Sequence, residues 1–388
     1  MSSACTACAV LTIDLDALAA NWRLLNARMA EAGGECAGVV KGDGYGLGLA
    51  PVARTLFAAG CSTFFVAQIE EGVRLRRVLA EAAPADAAPA DAAAPPVYVL
   101  CGLLPGTAEV FAEHGLAPVL STPEQITGYR SLPADMRARM PRPAVHFDTG
   151  MRRLGLTVAE AEAFLDDGDA VADVDPAVVV THLACADTPG HALNAEQNAL
   201  FRRLRDRLPG ARGSYANSSG LFLGGDSFFD LGRPGVALYG VNPTPGRRNP
   251  MRPVVRLSAP ILQVRKIDGP ESVGYGASHV MGAGSRVATV GVGYADGYPR
   301  ALSNRGHGAL GAWRVPVVGR VSMDLTLFDV SAVPEHEARP GAMIDLIGPL
   351  IPVDEVAADA GTIGYEILTQ LGARYRRVFT GGPEGAAA

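Results

Sequence analysis

A regular alternation constrains the fold of this chain more than any single residue does. From residue 12 to 242, short apolar or β-branched runs alternate with amphipathic stretches of helical period. The runs are Cys36–Lys41, Thr63–Ala67, Val97–Cys101, Ala117–Leu120, Ala144–Phe147, Val178–His182, Ser214–Asn217 and a last short one near Asp230–Arg233. Leu15, Leu18, Trp22, Leu25 and Met29 recur at three-four spacing, which puts them on one face of a first helix. Ile69–Leu79 and Asn194–Leu208 have the same texture, and Thr157-Val158-Ala159-Glu160 has the form of a capping box. Strands that alternate with helices pair in parallel, and eight such units predict a closed (β/α)8 barrel of the TIM type. A doubly wound open sheet is the alternative, but its GxGxxG fingerprint is absent.

Near residue 243 the pattern changes. Asn242-Pro243-Thr244-Pro245-Gly246-Arg247-Arg248-Asn249-Pro250 has the composition of a linker. Beyond it, Val254–Ile267, Arg286–Val292, Arg314–Val318, Thr326–Val330 and Met343–Ile347 read as strands between Gly, Pro and Asp turns, and Ile363–Leu371 reads as a short helix. The chain is thus expected to be a barrel over 12–242 followed by a smaller β-rich domain over 250–388, with residues 1–11 free to pack with the second. Residues 80–96, built from Ala, Pro and Asp, read as a solvated loop inserted after a barrel helix.

Composition excludes some functions. A formal net charge of −6 argues against nucleic acid or an anionic membrane as partner. No apolar run reaches the length of a membrane span, and the N-terminal Met1-Ser2-Ser3-Ala4-Cys5 lacks the basic segment of a signal peptide, so a cytoplasmic location is expected. Cys5 and Cys8 form only half of a zinc motif, so no metal is expected; Cys36, Cys61, Cys101 and Cys185 read as buried thiols of a reducing compartment.

Of 34 Lys+Arg residues only two, Lys41 and Lys266, are lysine. Arginine meets the general need for positive charge, so a retained lysine points to chemistry that arginine cannot perform. A lysine amine forms a Schiff base once it loses its proton; a guanidinium does not. Lys41 ends an apolar run and opens the glycine-rich Gly42-Asp43-Gly44-Tyr45-Gly46. In a (β/α)8 barrel the ends of the strands share one face around one pocket. His182, Asn217, Ser218 and Arg233 also fall at expected strand ends. Taken singly, each has a plainer reading: a core histidine, a helix-capping turn, a surface turn.

Taken together, the segments resemble the alanine racemase family of fold-type III pyridoxal-phosphate enzymes. The matching stretches are Val39 to Gly46, Asp148 to Gly155, Thr181 to Ala184, Ala216 to Ser218, Arg233 to Gly240, Val273 to Ala277, Gly293 to Arg300, Gly319 to Asp324 and Tyr365 to Leu368, in family order. The resemblance implies an isomerase that interconverts L-alanine and D-alanine, the latter a peptidoglycan precursor. Lys41 would hold pyridoxal 5'-phosphate covalently and serve as one catalytic base. Tyr45, Ser218, the amides of Gly235 and Val236, and Tyr365 would cradle the phosphate, with Asn217 in the same cofactor-binding stretch. His182 would lie against the cofactor ring, Arg233 would donate to its nitrogen, and Arg153 would bond its phenolic oxygen and reach the substrate. Tyr275 would be the second base, supplied with the substrate-lining Tyr294 and Met323 by the partner subunit of a homodimer.

One departure stands out. Where the family often carries a carbamylated lysine facing Arg153, this chain has His146. The sequence suggests that an anion takes over beside Arg153, with His146 itself free to carry charge because its ordinary pKa lies close to neutrality. Three other functions remain open at this stage. They are a racemase of broader specificity for small amino acids, a pyridoxal-phosphate decarboxylase of similar architecture, and a non-catalytic protein that only binds the cofactor.

Overall fold

The structure, a computed structural model, describes residues 9–82 and 94–383. Cys5, Cys8 and most of the Ala/Pro/Asp insertion therefore lie outside the described residues. Strands Gly38–Val39, Phe64–Val66, Val97–Val99, Ala117–Leu120, Ala144–His146, Val178–Val180 and Arg212–Ser214 pair in parallel, each with the next. Leu231–Gly232 pairs in parallel with Glu35–Cys36, the interrupted start of the first barrel strand. Backbone bonds from Asp230 N to Gly213 O (2.9 Å) and from Ala37 N to Gly232 O (2.9 Å) close the ring. Phe64, Phe65, Val66, Val97, Val119, Leu120, Val145 and Val179 are fully buried. Both faces of such a sheet are covered, which is why its strands read as continuous apolar runs.

The helices form as the patterns predict. Helix Leu15–Ala30 starts where Asp14 Oδ1 accepts the Ala17 amide at 2.8 Å, and it buries Leu15, Leu18, Trp22, Leu25 and Met29. Helix Val158–Asp166 carries the Thr157–Glu160 capping box. Strands are shorter than expected at their C-terminal ends. Arg212–Ser214 stops before Tyr215, and Asn217 turns into the next helical turn, Gly220–Phe222, where its Oδ1 accepts the Gly220 amide at 2.9 Å.

The second sheet runs Trp313–Pro316, His307–Leu310, Met343–Ile347, Val255–Lys266, Val10–Asp14 and Arg376–Thr380; Arg286–Val290 branches from Val255–Lys266 and in turn pairs with Thr326–Asp329. The twelve-residue strand Val255–Lys266 is long enough to pair with three partners along its length, and its register shifts between Ile261 and Gln263. Val10–Asp14 spans residue 12, the expected start of the barrel, and its pairing puts the whole strand in the second sheet. Its partners lie far along the chain, so local pattern could not assign it. A separate hairpin, Glu271–Val273 with His279–Met281, carries the Tyr275 turn. Among the described residues no helix is long and apolar enough to cross a membrane.

Candidate active site

The C-terminal ends of the barrel strands surround a cavity of about 990 Å³. Lys41, Tyr45, Arg153, His182, Asn217, Ser218, Arg233, Gly235, Val236 and Tyr365 all line it, as does His146. Residues spread over most of the chain are thus gathered by topology alone. Tyr365 arrives from helix Gly364–Thr369 of the second domain, so the cavity lies where barrel and sheet domain meet.

Lys41 sits where its strand ends. The next four residues run in the left-handed region, with φ of 63° at Gly42, 54° at Asp43, 64° at Gly44 and 54° at Tyr45. Such a turn swings Tyr45 back under the cavity, where its ring stacks on Tyr239 at 4.5 Å. Burial lowers the Lys41 pKa from its ordinary value, the Arg153 charge lowers it further, and Glu71 partly opposes the shift. A lysine held this way offers its neutral amine closer to neutrality, as a Schiff-base former must.

Arg233 is buried, and its acceptors among the described residues are neutral. One guanidinium nitrogen donates to Ser214 O at 2.7 Å and to Ser214 Oγ, and another donates to Thr181 O. Burial brings its pKa down to about 10, still cationic at neutrality. Its charge spreads to its neighbours. Burial and Arg233 push His182 down to about 3, and the same two causes push His146 down to about 4. The expectation that His146 carries charge is therefore corrected: it is neutral near pH 7. Its Nδ1 lies 3.4 Å from Ser121 Oγ. The positive charges beside it are those of Arg233 and Arg153.

Ser218 Oγ accepts the Gly235 amide at 3.0 Å and the Ala237 amide at 3.3 Å. Val236 opens the short turn Val236–Tyr239, so its amide has no acceptor within that turn. With the Tyr45 and Tyr365 hydroxyls, these residues line one cavity with hydroxyls and amides, the groups an anionic phosphate requires. A Cβ added to Gly235 would stand 2.1 Å from the Tyr45 oxygen. Gly235→Ala is expected to displace Tyr45 and weaken phosphate binding about 10–100-fold, the worth of one hydrogen bond to a charged group; fluorescence titration with pyridoxal phosphate measures it.

Tyr275, Tyr294 and Met323 do not line the Lys41 cavity of their own chain. They are exposed by 70%, 43% and 54%. The structure does bring Tyr294 and Met323 together: Tyr294 N donates to Ser322 O at 3.0 Å and Ala295 N to Met323 O at 2.9 Å. Arg374 fastens both loops, through Asp296 at 3.1 Å and Asp324 at 2.7 Å. A Cβ on Gly276 would meet the Arg320 guanidinium at 3.1 Å, so a cation packs over the turn that presents Tyr275.

Some residues of the site escaped the sequence reading. Gln197, fully buried, donates to Thr149 Oγ1 (3.1 Å) and His182 O (3.0 Å) and accepts from Ala184 N (3.0 Å), tying the His182 strand end to the loop that bears Arg153. Cys101 lines the cavity and is exposed, contrary to the expectation of a buried thiol; Cys185 is half-buried, and Cys36 and Cys61 are buried as expected. Cys101 stands two residues past the end of strand Val97–Val99, which the apolar run around it concealed.

Comparison with known proteins agrees with this geometry. The family description "Alanine racemase, N-terminal domain" matches residues 13–243, and "Alanine racemase, C-terminal domain" matches residues 254–379. A relative from Rhodospirillum rubrum named alanine racemase is 54% identical over 98% of both chains. Two relatives from Agrobacterium fabrum, named biosynthetic and catabolic alanine racemase, are each 43% identical and each cover 95% of this chain, with 93% and 91% of their own lengths matched. A crystal structure of alanine racemase from Bartonella henselae with covalently bound pyridoxal phosphate superposes with a TM-score of 0.87 at 37% identity, over 96% of this chain and 100% of that one. The chain belongs to the alanine racemase family.

Proposed function

We propose that the protein is a pyridoxal-phosphate-dependent alanine racemase that works as a cytoplasmic homodimer with shared active sites. The observation that carries this reading is the Lys41 cavity. One lysine with a lowered pKa faces a ring of amide, hydroxyl and guanidinium donors, and these fit the phosphate, the ring nitrogen and the phenolic oxygen of the cofactor. Bound pyridoxal phosphate supplies an electron sink that loosens the α-hydrogen of an amino acid attached to it.

The residues of the chain do the rest. Lys41 would anchor the cofactor and hold or release a proton at Nζ on one face of the substrate. Tyr275 of the partner subunit would do the same at its phenolic oxygen on the other face, so a proton removed from one side is returned to the other. Arg320 packs over the turn that presents this tyrosine. Arg233 would meet the ring nitrogen with a donor that stays charged, limiting how much electron density the ring takes up and disfavouring side reactions. Arg153 would hold the phenolic oxygen, and Tyr294 and Met323 of the partner subunit would narrow the substrate space to small side chains. Supply of D-alanine for peptidoglycan and its breakdown are opposite directions of this one reaction, and relatives named for either role are equally similar.

Purified protein with pyridoxal phosphate should form D-alanine from L-alanine much faster than it converts serine or larger amino acids. Equal rates on all of them would favour the broader-specificity reading, and no conversion would favour a binder. Mixing Lys41→Ala and Tyr275→Phe subunits should restore one working site per mixed dimer; no recovery after confirmed subunit exchange would place both bases in one chain. At the family's carbamate position, Arg153 is expected to keep a bound anion. Activity should therefore depend on halide or buffer anion, and His146→Lys should make it bicarbonate-sensitive; a variant indifferent to bicarbonate would remove this role for the position.

A further inference from the structure

Glu71 lies in the first turn of helix Ile69–Ala82, and its carboxylate joins two pieces of backbone at the cavity. Oε1 accepts the Gly42 amide at 2.6 Å and the Asp43 amide at 3.4 Å, the two amides that follow Lys41. Oε2 accepts the amides of Ala67 at 2.9 Å and Gln68 at 3.2 Å, where strand Phe64–Val66 passes into the helix. The far side of the loop is held separately, by Arg74 on Asp43 at 3.0 Å and by Arg377 on the Gly46 carbonyl at 2.7 Å. Among the described residues, Glu71 is the one side chain that accepts the Gly42 and Asp43 amides.

The held backbone is one that would not persist unaided. Asp43 and Tyr45 carry positive φ, a region side chains disfavour, and such a conformation survives only where its surroundings fix it. The charges around the Lys41 amine are Arg153 and Arg233, both cationic, the neutral His182, the Cys101 thiol and Glu71. Glu71 is the one carboxylate among them.

We infer that Glu71 is a positioning residue for Lys41. It clamps the loop that carries the lysine to the start of the neighbouring helix, and it supplies the anionic charge that balances Arg153 and Arg233 beside the amine. This deepens the reading of Lys41 as the reactive lysine and rests on it.

The chain's two lysines make the test direct. Full-length protein freed of cofactor is exposed to an amine-acylating reagent across a pH series, and the labelling of Lys41 and Lys266 is read by mass spectrometry. Glu71→Gln keeps an acceptor oxygen but removes the charge. Because Glu71 opposes the lowering of the Lys41 pKa, its loss should move the Lys41 labelling midpoint to lower pH while Lys266 is unaffected. Glu71→Asp keeps the charge on a shorter arm that cannot span both backbone pieces. It should leave the midpoint nearly in place but speed hydrogen exchange at the Gly42 and Asp43 amides about tenfold or more, the scale of a lost bond to a charged acceptor.

An unmoved midpoint in Glu71→Gln would overturn the electrostatic role, and unchanged exchange in Glu71→Asp would overturn the clamp. Both readouts are made without cofactor or turnover. If borohydride fails to fix pyridoxal phosphate on wild-type Lys41, the functional reading fails by a different measurement.

Discussion

Lys41→Ala should abolish alanine racemisation, by more than about 10⁴-fold, the upper range for loss of a single acid–base group. On the proposed mechanism the loss would exceed that range, because two roles would disappear together, the covalent hold on the cofactor and one of the two bases. No arginine in the cavity can substitute, since a guanidinium keeps its proton and forms no Schiff base. The protein should still fold, because the side chain points into a cavity and not into the core. Lys266→Arg is the control. It ends strand Val255–Lys266 and is exposed, away from the cavity, so its replacement should be nearly silent. Coupled assay of D-alanine formation, with circular dichroism to confirm folding, measures both. Substantial activity in Lys41→Ala, or total loss in Lys266→Arg, would mean that the wrong lysine carries the chemistry.

Tyr275→Phe should slow conversion in both directions by about 10²–10⁴-fold while pyridoxal phosphate remains bound. On the proposed mechanism each direction would use both bases, one to take a proton and one to give it, so the phenolic oxygen would be needed whichever enantiomer is supplied. Cofactor binding survives because Tyr275 is absent from the cavity of its own chain and removal of one oxygen leaves the ring to pack. The cofactor's visible absorbance and the initial rates from L- and D-alanine report the two parts separately. Wild-type rates from either enantiomer would end the two-base account.

The barrel was legible because parallel strands covered on both faces leave an apolar signature: Phe64-Phe65-Val66 could hardly be anything but buried. The site was legible where its residues stand at strand ends, as Lys41, His182 and Arg233 do. The second sheet was less so. Strand His307–Leu310 contains Gly308, where a Cβ would meet Ile344 at 2.6 Å; the close packing that requires glycine also erases the β-branched pattern. Val10–Asp14 was missed because its partners lie near the other end of the chain. Glu71 sits in an ordinary amphipathic helix, and no spacing reveals that it reaches across to Gly42. The neutrality of His146 depends on burial and on Arg233, a residue distant in sequence and near only in the folded barrel.

Pyridoxal phosphate, followed by borohydride and peptide mapping, tests the central claim most directly. The reagent makes a lysine–cofactor link permanent wherever it exists, and the chain offers only Lys41 and Lys266. Stoichiometric modification of Lys41, with Lys266 unmodified and racemase activity lost in parallel, is the result predicted. Modification of Lys266 alone, or full activity with Lys41 unmodified, would contradict it.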